Sequence, residues 1–389
     1  MPDPMPHVVH YLPRIRLAEG GVVRAVVDLC DALAGAGCRV NLLTGDRGDL
    51  DQIWPRTPDS LEVTVLPDPV KPLAPLCDAA REAVSRTDAL HLHTPWETGN
   101  LALARAARRT GTPFIVSVHG MLDDWCMSQR SLKKRMYLAL AGRRLLERAA
   151  AVHTTAQAEW SQVKRWRPNA RGVVTPLVFD LTEYTDLPGP EAARARWPAL
   201  AEDSPAVLFL SRVHYKKGAD VFIEAAGVLR ERHVDAHFLI AGPGEEDYLH
   251  QMRELARERG VADRVSFLGM VGGIEKVSLY QAADVFVLPT SQENFGFVFF
   301  EALAAKTPVV TTRGVDTWPE LESSGGAVIT NRDAGEIASA VEKILADPTK
   351  RIQMGEAGRA WTLDRFAPGK VVREYVDLYA RVARRDASA

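Results

Sequence analysis

The chain reads Val207-Leu-Phe-Leu-Ser211 and then Arg212-Val-His-Tyr-Lys-Lys217-Gly218, and a run with apolar residues at helical spacing continues from residue 219 to residue 232. A short apolar run without polar alternation is typical of a strand that is buried on both faces. The period of about 3.6 residues that follows predicts an amphipathic helix. Together they predict a strand–loop–helix unit, from which parallel sheets covered by helices are built.

The same rhythm recurs in two successive sets. The first set of apolar runs spans residues 7–11, 40–43, 89–93, 114–118 and 151–154. The second set spans residues 206–210, 237–241, 265–268, 285–288 and 308–311. A polar, proline-rich passage at residues 187–205 separates the two sets, and we interpret it as an interdomain linker. The pattern predicts an α/β protein with two Rossmann-like, doubly wound domains.

The chain length agrees with two domains. It has 389 residues, whereas single hydrophobic cores stop growing at roughly 250 to 300 residues. We place the first domain at residues 1–186 and the second at residues 200–364. Apolar residues at helical spacing between Trp361 and Arg385 predict a terminal amphipathic helix, placed at about residues 365–389.

Composition and charge exclude several classes of protein. A formal net charge of -2 gives no overall attraction to nucleic acid, so we expect no nucleic-acid partner. The four cysteines show no Cys-x-x-Cys spacing, which favours reduced thiols. The sequence contains neither a signal-peptide pattern nor about 18 consecutive apolar residues. We therefore expect a cytoplasmic protein.

Two cations flank the start of the helix that follows residues 207–211. Arg212 offers a forked guanidinium and Lys217 a compact ammonium, and a helix N-terminus adds free N–H groups and partial positive charge. This combination predicts a pyrophosphate site, with Lys216 as a solvated neighbour. The alternative is that both cations are ordinary surface charges.

Two carboxylates stand eight residues apart in Glu293-Asn-Phe-Gly296-Phe-Val-Phe-Phe-Glu301. We expect Glu293 in the loop after the strand at residues 285–288, and Glu301 at the beginning of a helix. Carboxylates accept paired hydrogen bonds from neighbouring hydroxyls, which favours a sugar and a ribose over a metal without further ligands. The alternative is a pair of surface or helix-capping glutamates.

The Glu293-x7-Glu301 motif with Ser211-Arg212 and Lys217-Gly218 resembles the retaining GT-B glycosyltransferases of family GT4, over nearly the whole chain. The resemblance implies two domains facing across a cleft, with the terminal helix returning to the first domain. It implies that Glu293 contacts the transferred sugar, Glu301 the nucleotide ribose, and Arg212 and Lys217 the diphosphate. The motif also contains Asn294, Phe295 and Gly296, which we expect at the donor. We expect the base to be bound by backbone groups near Gly242-Pro-Gly244 and Gly269-Met270.

The first domain carries weaker signals. Gly20 and Gly21 occupy the first strand-to-helix turn, where the family has a glycine-rich loop, although a plain turn is the alternative. A Gly-x-Gly-x-x-Gly fingerprint is absent, which argues against a dinucleotide cofactor. His119-Gly120 follows a buried strand and resembles the family pattern in which the histidine contacts the donor sugar, so we predict a catalytic His119. The alternative is a structural histidine. The acceptor-side candidates are His93, Thr94 and Asn100.

Residues 130–148 are strongly basic and carry apolar residues at helical spacing. This pattern predicts peripheral contact with anionic lipid at the inner face of the cell membrane. The alternative is a solvated basic face on a helix that packs on the core. The resemblance favours the membrane, because GT4 enzymes often use lipid-linked acceptors.

The implied reaction is transfer from a UDP- or GDP-sugar, with a slight preference for uridine, to a glycan or lipid-linked acceptor of cell-envelope or exopolysaccharide synthesis. Retention of configuration follows from the resemblance alone. No Asp-x-Asp pair follows a suitable strand, so we expect neither a metal nor another cofactor. The rivals are a phosphorylase or sugar-phosphate synthase on the same fold, and a non-catalytic nucleotide-sugar-binding module.

Overall fold

A computed structural model describes residues 5–17, 21–54, 58–72, 74–129, 131–200 and 204–386. The chain forms two compact units. Unit 1 contains the residues up to Phe179 together with those from Ala367 onward, and unit 2 contains residues from Asp180 to Phe366. The terminal segment thus belongs to unit 1, although it follows unit 2 in the chain.

Unit 1 is built on a seven-stranded parallel sheet in the order β3-β2-β1-β4-β5-β6-β7. Its strands are β1 (His7–Tyr11), β2 (Arg39–Thr44), β3 (Leu61–Val65), β4 (Ala89–His93), β5 (Phe114–Ser117), β6 (Ala151–Thr154) and β7 (Gly172–Val174). Its helices are α1 (Gly21–Gly35), α2 (Leu50–Ile53), α3 (Asp78–Ser85), α4 (Gly99–Thr110), α5 (Asp124–Ser128), α6 (Ser131–Tyr137), α7 (Arg143–Arg148) and α8 (Gln157–Trp166). A π-helical turn, Leu138–Gly142, joins α6 to α7.

Unit 2 is built on a six-stranded parallel sheet in the order β10-β9-β8-β11-β12-β13. Its strands are β8 (Ala206–Leu210), β9 (His237–Ala241), β10 (Val265–Gly269), β11 (Val285–Leu288), β12 (Val309–Thr312) and β13 (Ala327–Thr330). Its helices are α9 (Glu191–Arg196), α10 (Ala219–Glu231), α11 (Glu246–Glu258), α12 (Gly273–Ala282), α13 (Phe297–Ala304), α14 (Trp318–Ser323), α15 (Ala334–Leu345) and α16 (Pro348–Arg365). Short 3₁₀ turns lie at Thr182–Tyr184 and Pro198–Leu200.

The described part of the passage that we interpreted as a linker, up to residue 200, is folded into unit 2. It contains α9, which packs against α12 inside unit 2. Ala193 of α9 is buried, and its N–H donates to Ser278 Oγ at 3.0 Å. The proline-rich composition marked a compact segment of unit 2, because short helices can pack with few apolar residues.

The terminal helix returns to unit 1, as predicted, but begins later than the apolar pattern indicated. It is α17 (Lys370–Asp386), which packs against α1 and β4. The pattern from Trp361 to Arg385 runs across a break between α16 and α17. Gly369 in this break has a positive φ of 74°, a conformation that favours glycine and ends helical geometry. No helix of the described ranges is long and apolar enough to cross a bilayer.

Candidate active site

The sheet of unit 2 has its topological switch point between β8 and β11. From β8 the following strands β9 and β10 are added on one side, and from β11 the following strands β12 and β13 are added on the other side. In doubly wound sheets, ligands bind at this point, beyond the carboxyl ends of the strands. The loop after β8 carries Arg212 and Lys217, and the loop after β11 carries Glu293. Four of the predicted donor-binding positions therefore lie at this one edge, since Glu301 follows in α13.

The loop after β8 is fitted closely against the loop after β11. Gly218 has φ 81° and directly precedes α10. A Cβ atom at Gly218 would lie 2.2 Å from the carbonyl oxygen of Pro289, so only glycine fits. This approach sets the N-terminus of α10 beside the β11 loop. Arg212 is exposed there and forms no ion pair with the described residues.

Lys217 and Glu293 are brought together. The Lys217 ammonium forms an ion pair with the Glu293 carboxylate, and their side chains are only 15% and 23% exposed. The backbone of Glu293 is fixed as well. Its N–H donates to Gly314 O at 2.8 Å, and its carbonyl accepts from the N–H of Asp316 at 2.9 Å. The pair therefore places a cation and a carboxylate at a defined position on this edge.

The next three residues serve mainly to shape the loop. Asn294 Nδ2 donates to Asp316 Oδ2 at 3.1 Å. Phe295 is buried and packs against Phe300 with the two rings tilted, so its side chain belongs to the core, and a donor would meet its backbone instead. Gly296 has φ 70° and precedes α13.

Glu301 lies inside α13, not at its beginning as we had expected. Its carboxylate accepts hydrogen bonds from Lys276 Nζ at 2.9 Å and from the Tyr280 hydroxyl at 3.1 Å. Both partners come from α12, and the sequence analysis missed them because no spacing connects them to the glutamate motif. They fix the carboxylate orientation, while its remaining lone pairs can still accept from a ligand.

Gly242 and Met270 follow β9 and β10. A Cβ atom at Gly242, whose φ is 129°, would lie 1.9 Å from Ser211 O, so the strand-end loops of β8 and β9 touch only because this residue is glycine. Its N–H donates to Gly269 O at 2.6 Å. Met270 is 72% exposed at the same edge, which suits contact with a flat apolar group.

His119 of unit 1 lies just beyond β5 in a left-handed backbone conformation, with φ 53°. Such a conformation is uncommon for a residue with a side chain and often marks a functional site. The loop is held by Glu159, which is 1% exposed and accepts from Gly120 N at 2.6 Å and Thr155 N at 2.6 Å. Gly21 is the first residue of α1, and Gly20 lies outside the described residues.

The acceptor-side candidates lie at the end of β4. Asn100 Nδ2 donates to the carbonyl oxygens of His93 and Thr94 at 3.1 and 2.8 Å, and Thr94 has φ 62°. Asn100 is fully buried, so it holds the strand end in place. His93 is buried at 1% and bonds to His119, which ties this strand end to the loop after β5.

A layer of histidines that the sequence analysis overlooked lies in the sheet of unit 1. Its members are His10 of β1, His91 and His93 of β4, and His153 of β6. Ring nitrogens of the first three lie within 4.8 Å of one another. The sequence did contain a signal for this layer, because three strands that we predicted for one sheet each carry a histidine near the carboxyl end.

Comparison with known proteins identifies the family. The profile described as Glycosyl transferases group 1 matches residues 193–361, and the Glycosyl transferase 4-like domain matches residues 20–177. The GDP-mannose-dependent alpha-(1-6)-phosphatidylinositol monomannoside mannosyltransferase of Mycolicibacterium smegmatis is 33% identical over 276 residues, which cover 68% of this chain and 69% of the relative. The chain is a group 1 glycosyltransferase of family GT4. The predicted family and enzyme class are confirmed.

Other proteins similar to this group 1 glycosyltransferase cover more of its length. D-inositol 3-phosphate glycosyltransferase 2 of Catenulispora acidiphila is 28% identical over 93% of this chain and 90% of its own. The crystal structure of Anabaena HepE with UDP has a TM-score of 0.79 at 18% identity and covers 96% of this chain and 100% of its own. Sucrose-phosphate synthase of Thermosynechococcus elongatus has a TM-score of 0.73 at 21% identity and covers 97% and 99%. These likenesses confirm the predicted GT-B fold class.

Proposed function

We propose that this glycosyltransferase moves a sugar from a nucleoside diphosphate sugar to a hydroxyl acceptor, with retention of anomeric configuration and without a metal. The observation that carries the proposal is the Lys217–Glu293 ion pair at the switch point of unit 2. Beside it lie the N-terminus of α10 and Arg212. A cation, a carboxylate and a helix N-terminus on one strand edge suit a sugar joined to a diphosphate.

The chemistry requires positive charge at the leaving group. The bond between the anomeric carbon and the diphosphate oxygen breaks, so negative charge grows on the diphosphate while the sugar becomes oxocarbenium-like. Arg212, Lys217 and the free N–H groups of α10 would stabilise that negative charge without a metal. The acceptor oxygen bonds to the anomeric carbon, and its proton passes to the leaving diphosphate, which balances the reaction.

The two glutamates would bind hydroxyl groups. A carboxylate has about four lone-pair positions, so Glu293 can accept from sugar hydroxyls while it keeps its bond to Lys217. Glu301, oriented by Lys276 and Tyr280, would accept from the ribose hydroxyls. Loss of either carboxylate should therefore weaken donor binding in different ways, through the sugar for Glu293 and through the nucleoside for Glu301.

GDP-mannose is the first donor to test. The Mycolicibacterium relative, which is 33% identical to this chain, is named for GDP-mannose. Anabaena HepE, whose structure contains UDP, is only 18% identical. The Mycolicibacterium relative's name also includes a phosphatidylinositol monomannoside. We therefore propose a lipid-linked saccharide as the acceptor class, and UDP-sugars as the alternative donors.

An exposed apolar surface in the basic segment of unit 1 supports the proposal of a lipid-linked acceptor. Leu132, Met136 and Leu140 are 79%, 58% and 69% exposed, and their spacing of four residues places them on one side of α6 and the π-helical turn. We call these three residues the apolar stripe. Exposed apolar side chains in a basic segment are typical of helices that insert shallowly into anionic lipid.

A groove of about 250 Å³ adjoins the apolar stripe at Leu140. Four arginines line it, namely Arg105, Arg108, Arg144 and Arg148, together with apolar residues such as Leu101 and Phe114. Arg108, Arg144 and Arg148 form no ion pair with residues in the described ranges. Unpaired guanidiniums around an apolar floor suit an anionic phospholipid headgroup and the first part of its chains.

The donor is tested by thermal shift and by product analysis. The purified protein is melted with GDP-mannose, UDP-glucose, GDP or UDP, each with and without EDTA, and a bound ligand raises the melting temperature. Products formed with a mannosylated lipid acceptor are then analysed by NMR, in which the anomeric coupling distinguishes retention from inversion. Activity that EDTA abolishes, an inverted product, or no binding of any nucleotide would contradict the proposal. Sugar 1-phosphate formed with added inorganic phosphate would favour the phosphorylase, and binding without turnover would favour the non-catalytic module.

A further inference from the structure

The buried histidine layer of unit 1 lies between the sheet and α17. His10, His91, His93 and His153 are at most 1% exposed. In the sheet register His10 is the neighbour of His91, and Ser117 is the neighbour of both His93 and His153. Tyr375 and Tyr379 of α17 reach into the layer. Each nitrogen of a neutral imidazole ring is either a hydrogen-bond donor or an acceptor, so the position of the proton on each ring can be assigned from its hydrogen-bond partners.

One chain of bonds has a direction that chemistry fixes. His153 Nε2 lies 2.8 Å from the carbonyl oxygen of Thr175, which can only accept, so Nε2 carries the proton. The other nitrogen, Nδ1, then accepts from Ser117 Oγ at 2.6 Å. Ser117 in turn accepts from His91 Nε2 at 2.7 Å, so His91 Nδ1 accepts from the Tyr379 hydroxyl at 2.8 Å.

This assignment requires neutral rings, and burial makes them neutral. Burial lowers the pKa of His153 to about 4 and, with repulsion from His93 and other neighbours, lowers the pKa of His91 well below its usual value. Both nitrogens of His91 are therefore occupied, one as donor and one as acceptor. For that reason His91 has no lone pair left for a metal, although His10, His91 and His93 lie close together.

A second chain leads out to His119. His119 Nε2 lies 3.0 Å from His93 Nδ1, and His93 Nε2 lies 3.0 Å from His10 Nδ1. Burial lowers the pKa of His10 and of His119 to about 3, and His93 is likewise neutral. His10 Nε2 is buried without a hydrogen-bond partner among the described residues. That atom decides the direction of the chain.

The hydrogen bonds from His10 through His93 to His119 can run in either of two directions, with each ring donating to the next or accepting from it. The two directions differ in what is left unpaired at His10 Nε2. In one direction it is an N–H group, and in the other it is a lone pair. Buried N–H groups without a partner are rarer in proteins than under-satisfied acceptors. The lone pair is therefore favoured at Nε2, and His10 Nδ1 carries the proton and donates to His93 Nε2. His93 Nδ1 then donates to His119 Nε2.

We infer that His10 and His93 are positioning residues that set the tautomer of His119, so that Nδ1 of His119 carries its proton and Nε2 accepts. The assignment of the tautomer stands on the hydrogen bonds and on the burial of the rings, and it needs no assumption about the reaction. Its role in catalysis rests on the proposed function and on the family resemblance, which implies that His119 contacts the donor sugar. His119 then acts there as a neutral hydrogen-bond donor through Nδ1, and it does not act as a base through Nε2.

NMR of the protein labelled with ¹⁵N-histidine tests the tautomer directly. Long-range ¹H–¹⁵N spectra distinguish Nδ1–H, Nε2–H and doubly protonated rings, and His119→Asn identifies the His119 signals by their loss. We expect the Nδ1–H form of His119 at pH 7.5. The Nε2–H form, a mixture of the two, or a stoichiometric zinc ion that shifts the His10 and His93 signals would overturn the inference. This measurement needs no substrate, and its one variant, His119→Asn, serves only to assign the signals.

Variants of His93 test its part in setting the tautomer. His93→Leu removes the donor to His119, and we expect the preference for Nδ1–H to be lost. His93→Asn places an amide N–H near the position of Nδ1, and we expect it to restore the preference. His250→Asn, on an exposed side chain, is the control and should leave the His119 signals unchanged. An unchanged His119 spectrum in folded His93→Leu would overturn the role of His93.

Kinetics separate this inference from the proposed function. We expect His93→Leu to lower kcat about tenfold with little change in the donor KM, as expected for one misplaced hydrogen bond, and His93→Asn to restore most of it. Spectra that change as expected with an unchanged kcat would overturn the catalytic part alone. A wild-type protein that turns over no nucleotide sugar would refute the proposed function, while the spectra still decide the tautomer.

Discussion

The ammonium of Lys217 forms an ion pair with the carboxylate of Glu293, although 76 residues separate them in the chain. The two follow β8 and β11, which are neighbours only because the strand order reverses between them. Both side chains are mostly buried, so salt screens this pair less than it screens a surface pair. Removal of one partner leaves the other charge poorly compensated, so each substitution is best compared with the double variant.

We expect Lys217→Met to lower kcat/KM by about 10²- to 10³-fold, because it removes a cation aimed at the leaving diphosphate. Lys216→Met is the matched control, because the Lys216 ammonium lies 3.5 Å from Gln292 Oε1 and the proposed diphosphate site does not use it, so activity should stay near that of the wild type. The Lys217→Met/Glu293→Gln double variant should lose less than the sum of the single losses. Steady-state assays check this, and a fully active Lys217→Met enzyme would remove the diphosphate assignment.

Gly218→Ala should destabilise unit 2 more than Gly260→Ala does. Both glycines have a positive φ, 81° and 68°, so alanine costs about 1–2 kcal/mol in conformation at either position. Only at Gly218 would the added Cβ also meet a backbone carbonyl, at 2.2 Å, whereas at Gly260 nothing lies within 4 Å. Thermal melts compare the two variants, and equal melting temperatures would show that the loop after β8 is not tightly fitted.

The free energy of unfolding of unit 1 should fall as the pH falls below about 6.5. Burial lowers the pKa of His10 and of His119 to about 3 and that of His153 to about 4, whereas an unfolded chain has histidine pKa values near 6.5. Between these values the unfolded chain binds more protons, so acid favours unfolding. Each such histidine adds up to about 1.4 kcal/mol per pH unit in this window.

Calorimetry at pH 7.5, 6.0 and 5.0 measures this dependence. The exposed carboxylates with lowered pKa values, such as Asp46, stay ionised over this range and so do not contribute. His153→Gln should reduce the slope, because it removes one of the titrating groups. A free energy of unfolding that stays constant from pH 7.5 to pH 5.0 would be inconsistent with neutral buried rings.

Binding to anionic vesicles should depend on the apolar stripe and on the arginine groove. We expect Leu140→Ser and Arg144→Glu each to lower the fraction of protein that floats with vesicles of phosphatidylglycerol. Leu140→Ser removes an apolar side chain that would insert into the lipid, and Arg144→Glu removes about 1 kcal/mol of electrostatic attraction to the anionic headgroups. Ile352→Ser, which also removes an exposed apolar side chain but in unit 2, is the control. Equal flotation of all variants, or none with the wild type, would remove the membrane proposal.

Most of the strands that sequence reasoning found are buried ones. The half-buried edge strand β10 was found as well, because residues 265–268 form a short, largely apolar run. Residues 7–11, 89–93 and 206–210 match β1, β4 and β8, and all three have nearly continuous burial. The missed strands β3, β7 and β13 lie at sheet edges. Their residues are largely half-buried or exposed. Apolar and polar residues alternate in β3, Leu61-Glu-Val-Thr-Val65, and the apolar runs of β7 and β13 are very short. Edge strands are defined by pairing with a neighbour, which a single sequence does not display.

The residues of the candidate site likewise fall into those that the sequence pattern predicts and those that only the packing of the structure reveals. Residues in loops directly after buried strands, such as Arg212, Lys217 and Glu293, follow from the strand pattern because parallel strands end at one edge. Lys276 and Tyr280 reach Glu301 from another helix, and only packing reveals them. The histidine layer escaped notice for a related reason: within each strand a single histidine resembles an ordinary core residue, and the cluster forms only when the strands align.

The return of α17 to unit 1 fixes an order of events during synthesis. Unit 2 is one continuous stretch, from Asp180 to Phe366, and all of it leaves the ribosome before Tyr375 and Tyr379 do. Until those two tyrosines arrive, His91 Nδ1 lacks its hydrogen-bond partner and His153 Nε2 has Thr175 O alone, and the part of the sheet at β4 that α17 packs against stays uncovered. The nascent chain must therefore complete its second half before its first half can close. Molecular chaperones would find their binding surface on the unit that was made first.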